Sequence, residues 1–284
     1  MDGQGQGGPV LRPRRLAANL WKLGLTALIA AVALMPIYIT FIVSLKGQTD
    51  LSSHWVPPKV LSLANYLWAI EIGRIFSAFL NTTVITGCSV AAVVLLSSMA
   101  AYPLARNATR LNAAVSTFIL SILMVPALSL LVPLYVLLLR VHGVSTYWGI
   151  VLVHVTFNLP VSVFLYMNFI RALPRDLDEA ALIDGCSIYT IFSRIILPLL
   201  RPVTVSVIIF AGVAVWNDYQ FSLYFLQKPA IRVITLMISS FFAVSGTDYH
   251  IAAAAAVMAI IPITVIYVFL QRRFVKGILD SAIK

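Results

Sequence analysis

Few side chains in this chain can do chemistry, and their spacing argues against catalysis. The 284 residues include ten acids, two cysteines and four histidines, at positions 54, 142, 154 and 250. No two histidines stand at metal-binding spacing, so no metal site is expected. Cys88 falls within an apolar run and Cys186 in a charged segment, so both are expected as free thiols. There is no nucleophile–base pattern. There is also no G-x-x-x-x-G-K-[ST] phosphate loop, so neither ATP nor any other cofactor is expected on this chain. Two polar groups remain. One is a run of acids and small residues within 172–198. The other is Trp216, Asn217 and Asp218, with Gln220 beside them, and Asn158 in a neighbouring apolar run. Amides and a carboxylate beside an aromatic face suit two tasks: pairing with the hydroxyls of a passing solute, or tying helices together inside a membrane.

The elements that must position these groups follow from composition. Hydrophobic residues make up 61% of the chain and charged residues only 11%, against about 25% charged in an ordinary soluble domain. Too little charge is available to cover a soluble surface of this size. Six runs almost free of charge reach the roughly 20 residues that cross a bilayer. They predict an all-α integral membrane fold with six spans at about 23–45, 78–104, 113–139, 147–170, 203–226 and 250–271. Residues 1–19 read as a flexible basic cytoplasmic tail, and 20–284 as the membrane domain. With the N-terminus inside, fourteen of the twenty Lys and Arg residues fall on the cytoplasmic side. Both termini are therefore expected in the cytoplasm. The net charge of +10 then serves topology and anionic headgroups, and no nucleic-acid partner is expected. Pro36, Pro103, Pro126, Pro133, Pro160 and Pro262 in or near spans are expected to kink helices, and Ala252 to Ala256 to offer a small-residue packing face.

The segment 172–198 joins the fourth and fifth spans and carries most of the information. Pro174 precedes a helix start that Asp176 can cap, with Glu179 three residues on to complete a capping box. Gly185 can close the helix in a left-handed conformation. Ser187 can cap a second short helix that ends before Pro198. An isolated helix from about Leu177 to Asp184 is too short to persist in water, so something must pack on it. Small Ala180 and Ala181 let a partner approach closely. The local acids disfavour a resting place on the negative inner leaflet, which makes a protein partner the better reading.

Glu179-Ala180-Ala181, Asp184-Gly185, Phe192, Ile195, Leu197-Pro198 and Pro202 resemble the EAA motif of bacterial ABC importer permeases in order and spacing. The resemblance extends through Asn65-Tyr66, Asn81-Thr82, Ala101-Tyr102-Pro103-Leu104-Ala105-Arg106, Asn158-Leu159-Pro160, Trp216-Asn217-Asp218 and Phe274-Val275-Lys276-Gly277. It is similar to the carbohydrate-uptake subfamily, in particular the shorter maltose-type permease. Cys186 stands where that family often has alanine. The resemblance implies that residues 172–198 form a cytoplasmic coupling segment, with Glu179, Ala180, Ala181, Asp184 and Gly185 docking on an ATPase subunit and the tail near Lys276 to Lys284 touching it too. It implies an inner-membrane permease that forms half a pore. The implied partners are a second permease chain, an ATP-binding subunit dimer, an extracytoplasmic solute-binding protein and a sugar substrate. Trp216, Asn217, Asp218 and Asn158 are the candidate substrate path.

Other classes make different demands. An ion-coupled secondary transporter usually shows inverted repeats and several buried ionisable groups, and Asp218 alone is thin support for one. An ABC permease for a solute other than a sugar would share the coupling segment. A membrane scaffold would not need residues 174–202.

Overall fold

A computed structural model describes residues 13–47, 49–71, 74–245 and 249–282, all of it helix and connecting loop with no strand among these residues. The helices are α1 (Pro13–Ser44), α2 (Ala64–Glu71), α3 (Ile75–Arg106), α4 (Arg110–Ile122), α5 (Leu131–Arg140), α6 (Tyr147–Ala172), α7 (Asp176–Ile183), α8 (Ile188–Thr190), α9 (Leu197–Leu199), α10 (Arg201–Trp216), α11 (Gln220–Phe225), α12 (Ile234–Ser245) and α13 (Tyr249–Ala282). Helix α1 already begins at Pro13, so part of the expected 1–19 tail is helical, and residues 1–12 lie outside the described residues.

Four stretches are long and apolar enough to cross a bilayer without interruption: Trp21–Ser44, Ile75–Arg106, Tyr147–Ala172 and Tyr249–Phe269. The expected third and fifth spans are broken. In the third, α4 and the helical stretch Ala127–Arg140 meet at 95°. Pro126 holds an extended ψ of 123° at the corner, having no N–H with which to continue the α4 ladder. The fifth expected span, 203–226, divides into α10 and α11. The physical cause is Asp218, whose carboxylate accepts the backbone N–H groups of Phe221 at 3.1 Å and Ser222 at 2.8 Å. That starts a new helix just where α10 stops. The second bent pair lies before α10, where Ile188–Leu199 and Arg201–Trp216 meet at 73°, so the count is four spans, or six when each of the two bent pairs is taken as one.

The packing centre is α3 against α6, with α10 alongside and α13 closing the bundle. One apolar cluster joins α3, α6 and α10 to the segment after α6, through Val93, Ala101, Tyr166, Ile170, Ile191 and Val207, all at most 1% exposed. A second cluster at the opposite end joins α2, α3, α12 and α13. Ala252, Ala254 and Ala255 are at most 1% exposed within it or beside it, as the expected close-packing face requires. Trp21, Trp68 and Trp148 are exposed near the ends of apolar stretches, where amphipathic rings settle at the interface.

Buried amides fasten the loops at the end opposite α7. Asn65 Nδ2 donates to the carbonyls of Ser44 and Lys46, at 2.9 and 2.7 Å. Asn81 Nδ2 donates to Ala230 and Arg232 carbonyls at 3.0 and 2.9 Å, and its Oδ1 accepts from the Tyr147 hydroxyl. Thr82 Oγ1 accepts the Ile234 N–H at 2.9 Å and so starts α12. These bonds satisfy loop groups that lipid would leave unpaired. Asn81→Leu strands three of them, and a buried group without its partner costs about 1–3 kcal/mol. The thermal midpoint of the full chain in detergent is expected to fall by about 5 °C or more, while Cys88→Ala, at an exposed site, leaves it unchanged.

Candidate functional site

The segment after α6 is built as a projecting helix with a fixed root. Leu173 ends α6 in an extended conformation and α7 follows at Asp176. Asp176 does not cap this helix. Arg175 occupies the N-cap in a helical conformation and no side chain caps there. The acids Asp176, Asp178 and Glu179 instead fill the first turn, where they complement the positive end of the helix dipole. Gly185 ends α7 at φ +79°, as the sequence predicts, and nothing crowds its open face. The Cys186 N–H reaches back to the Ala181 carbonyl at 2.9 Å, which closes the C-terminal motif. A substituent at Gly185 would therefore be strained by backbone conformation alone.

Ser187 then caps α8, accepting the Thr190 N–H, as expected. The helix does not end before Pro198. It runs on through a π-helical stretch, Ile191–Ile196, into α9. The wider π turn pairs the Leu197 N–H with the Phe192 carbonyl and lets the chain carry Pro198, which has no N–H to give. The break comes instead at Leu200, between two arms that meet at 73°.

A three-residue polar staple holds α7 to the bundle. The Tyr102 hydroxyl donates to Asp178 Oδ1 at 2.6 Å, and the Arg106 guanidinium meets Asp178 Oδ2 at 2.8 Å. Arg106 also donates to the carbonyls of Leu173 and Pro174, at 3.0 and 3.3 Å, which fixes the chain just before α7. The Arg106 and Asp178 side chains are only 9% and 13% exposed. Sequence reasoning did not find this staple. Tyr102 and Arg106 were marked only by resemblance, and a pairing across 76 residues leaves no local signal.

The staple sorts the predicted docking residues. Glu179, Ala180, Asp184 and Gly185 are exposed. Ala181 is not: at 5% exposure it packs into the chain's own core, where its small size brings α7 close to the bundle. Large apolar side chains stand exposed beside these residues; the sequence marks Ile183 among the apolar residues of the helix but not Leu182 or Tyr189. Ile183 is 87% exposed, Tyr189 86% and Leu182 53%. Between α7, α8 and the end of α3 lies a cavity of about 520 Å³, walled in part by Tyr102, Glu179, Leu182, Tyr189 and Phe192.

The predicted substrate-path residues do not converge. Asp218 turns toward α6, where His154 Nε2 lies 3.8 Å from its carboxylate, and it also accepts from the Ser222 hydroxyl at 2.7 Å. The Thr235 hydroxyl donates to the Asp218 carbonyl at 2.6 Å. Asn158 is buried one turn after His154 and donates to its carbonyl at 2.8 Å. Asn217 is exposed and bonds back to Val213. Trp216 faces elsewhere, into a cavity of about 420 Å³ between α3, α10 and α13, with Thr83, Thr86 and Tyr267 among its walls. Asp218 thus acts here as a joint between α6, α11 and α12, while Asn158 bonds within α6. The tail residues Lys276 to Ala282 continue α13, while the side chains past Phe269, and residues 283–284 entirely, lie outside the described residues.

Comparison with known proteins agrees with this architecture. The chain is 39% identical over 261 residues to the melibiose/raffinose/stachyose import permease protein MelC of Bacillus subtilis, covering 92% of this chain and 95% of that one. It is 33% identical to the probable starch degradation products transport system permease protein AmyC of Thermoanaerobacterium thermosulfurigenes, over 88% of this chain and 91% of that one. Its fold matches a chain from the crystal structure of a bacterial ABC transporter involved in the import of the acidic polysaccharide alginate. The TM-score is 0.82 at 17% identity, over 94% of this chain and 100% of that one. Residues 93–280, which hold the staple, α7 and the break at Asp218, match the family described as binding-protein-dependent transport system inner membrane component. This chain belongs to that family of inner-membrane transport permeases.

Proposed function

We propose that this permease carries a sugar or short saccharide inward across the inner membrane, driven by ATP hydrolysed on a separate subunit. The relatives named for melibiose, raffinose and stachyose and for starch degradation products support the carbohydrate class. One observation carries the coupling: α7 presents Ile183 and Glu179 outward, with Tyr189 of α8 beside them, while Asp178 roots α7 to α3. A helix of eight residues does not hold its shape unsupported in water. The staple supplies support on one side, and an ATPase groove supplies it on the other.

The α7 end then faces the cytoplasm, with both termini, as the basic residues near it favour. The ATPases work as a dimer. A second permease completes the pore, and an extracytoplasmic binding protein delivers the sugar to the opposite end. ATP closes the ATPase pair, α7 moves with its groove, and α3 and α6 follow because Arg106 and Tyr102 tie α7 to α3. This is linkage between two sites through one rigid joint. Trp216 and its cavity are the part of this chain best placed to line the path.

Glu179→Lys reverses a charge on the docking face, and Gly185→Asp puts a side chain at a left-handed position. Each is expected to abolish uptake while the chain still inserts. Pull-down of the ATPase together with sugar transport measures this, and undiminished association and uptake in both variants would refute the docking role. Removing Asp178 leaves a buried guanidinium unpaired, which typically costs about 3–5 kcal/mol. Asp178→Ala is accordingly expected to unfold earlier and to lose transport, with ATPase binding reduced less than by Glu179→Lys. Asp218→Ala is expected to lower stability first, by removing the cap of α11. Full thermal stability with lost transport would place Asp218 on the substrate path instead.

A further inference from the structure

A second cavity at the α7 end lies on the other side of Arg106 from the groove beside α7 and α8. It has a volume of about 670 Å³ and lies where α3 ends, α4 begins and α6 ends. Four arginines wall it, Arg106, Arg110, Arg171 and Arg175, and no acid is among its lining residues. Arg106 is matched by Asp178. Among the described residues Arg110, Arg171 and Arg175 have no carboxylate within ion-pairing distance. The Arg106 side chain is 9% exposed and is committed to Asp178 and to the Leu173 and Pro174 carbonyls, which leaves the other three arginines to meet a ligand. Three unmatched arginines around one hollow with no acid in its wall describe a receptor for an anion.

The surroundings select the anion. Leu104 and Ala113 contribute apolar wall beside the arginines. Helix α4 carries Arg110 and Ala113 on the cavity side and exposes Leu120 at 38%. Leu120 stands seven residues beyond Ala113 on the same helical face and leads away from the cavity along the apolar segment. A soluble anion has no use for such a strip, whereas acyl chains do. The cavity shares Arg106, Asn107 and Arg175 with the groove beside α7, but it extends along α4 and not along α7 and α8.

We propose that this cavity binds the phosphate headgroup of an anionic phospholipid, with the acyl chains lying along α4. Basic pockets between membrane helices at the cytoplasmic surface are suited to such headgroups. The proposal rests on the inward placement of the α7 end only for which leaflet supplies the lipid. Binding itself is measured independently of transport and of any partner.

The experiment uses the full chain in neutral detergent, with lipid retention read by native mass spectrometry. Phosphatidylglycerol is compared with phosphatidylcholine of the same chain length. The wild type is expected to retain phosphatidylglycerol preferentially, and excess inorganic phosphate is expected not to displace it. Each arginine removed weakens retention about fivefold, so Arg110→Gln/Arg171→Gln loses most of the preference. Arg110→Lys/Arg171→Lys keeps the charge and is expected to keep most of it, which separates electrostatics from misfolding. Equal preference in the wild type and the glutamine variant overturns the proposal, as does equal loss in the lysine and glutamine variants. Displacement by inorganic phosphate makes the site one for soluble anions and overturns the lipid assignment. Loss of ATPase co-purification with lipid preference intact assigns the arginines to a protein contact and overturns it as well.

Discussion

The architecture turns on one buried ion pair. Arg106 at the end of α3 and Asp178 in the first turn of α7 are 2.8 Å apart, and Tyr102 adds a hydrogen bond from one turn earlier on α3. Without it, α7 is a short acidic helix on a flexible tether. With it, α7 becomes a lever rigidly joined to the longest packing interface in the bundle, α3 against α6. A buried pair of this kind adds little net stability over well-packed apolar residues. What it adds is a fixed geometry, because a guanidinium that also holds the Leu173 and Pro174 carbonyls permits one orientation of the chain that leads into α7. The proposed coupling needs that fixity more than it needs stability.

The same economy governs the rest of the molecule. A bilayer-spanning bundle has no water to satisfy its loops and breaks, so each irregularity carries its own polar partner. Asn65 holds the chain after α1, Asn81 and Thr82 hold the approach to α12, and Asp218 caps α11 while its carbonyl accepts from Thr235. Motif residues marked by resemblance in the sequence prove to be these joints. Their side chains mostly face backbone, which explains why amides recur there: an amide donates two hydrogen bonds in a fixed plane, and Asn65 and Asn81 each place both on carbonyls.

Much of this was legible before any coordinates. Long apolar runs define a helical membrane protein because nothing else satisfies a backbone in lipid. The acids, Gly185 and Ser187 located a short helix, its left-handed end and the start of the next. Three things were not legible. Run length alone cannot distinguish a straight span from a bent one: Pro126 marks a kink without its 95° angle, and the break at Asp218 depends on its carboxylate meeting the Phe221 and Ser222 amides. Helix α12 is apolar but only 12 residues long, too short to register as a span. The inward face of Ala181 and the outward faces of Ile183 and Tyr189 depend on how α7 rolls against the bundle, and that roll is set by Asp178 finding Arg106, a contact invisible to local pattern. The mixed apolar and polar exterior of α7, Ile183 included, argues for a partner, but the exposure of Leu182 and Tyr189 emerges only once the helices are placed.

The central claim is that α7 and α8 form the seat for a separate ATPase. The most direct measurement is thiol labelling of single-cysteine variants in a background with Cys88 and Cys186 replaced, with probes at Leu182, Ile183 and Tyr189 and a control at Leu51, an exposed loop position at the opposite end. In the permease alone, all four positions should react with a water-soluble maleimide at rates set by their exposure. In the assembled transporter, the three probes on α7 and α8 should be strongly protected while the control is unchanged. Equal labelling of Ile183 and Tyr189 in the free and assembled states would leave α7 without a partner and contradict the account.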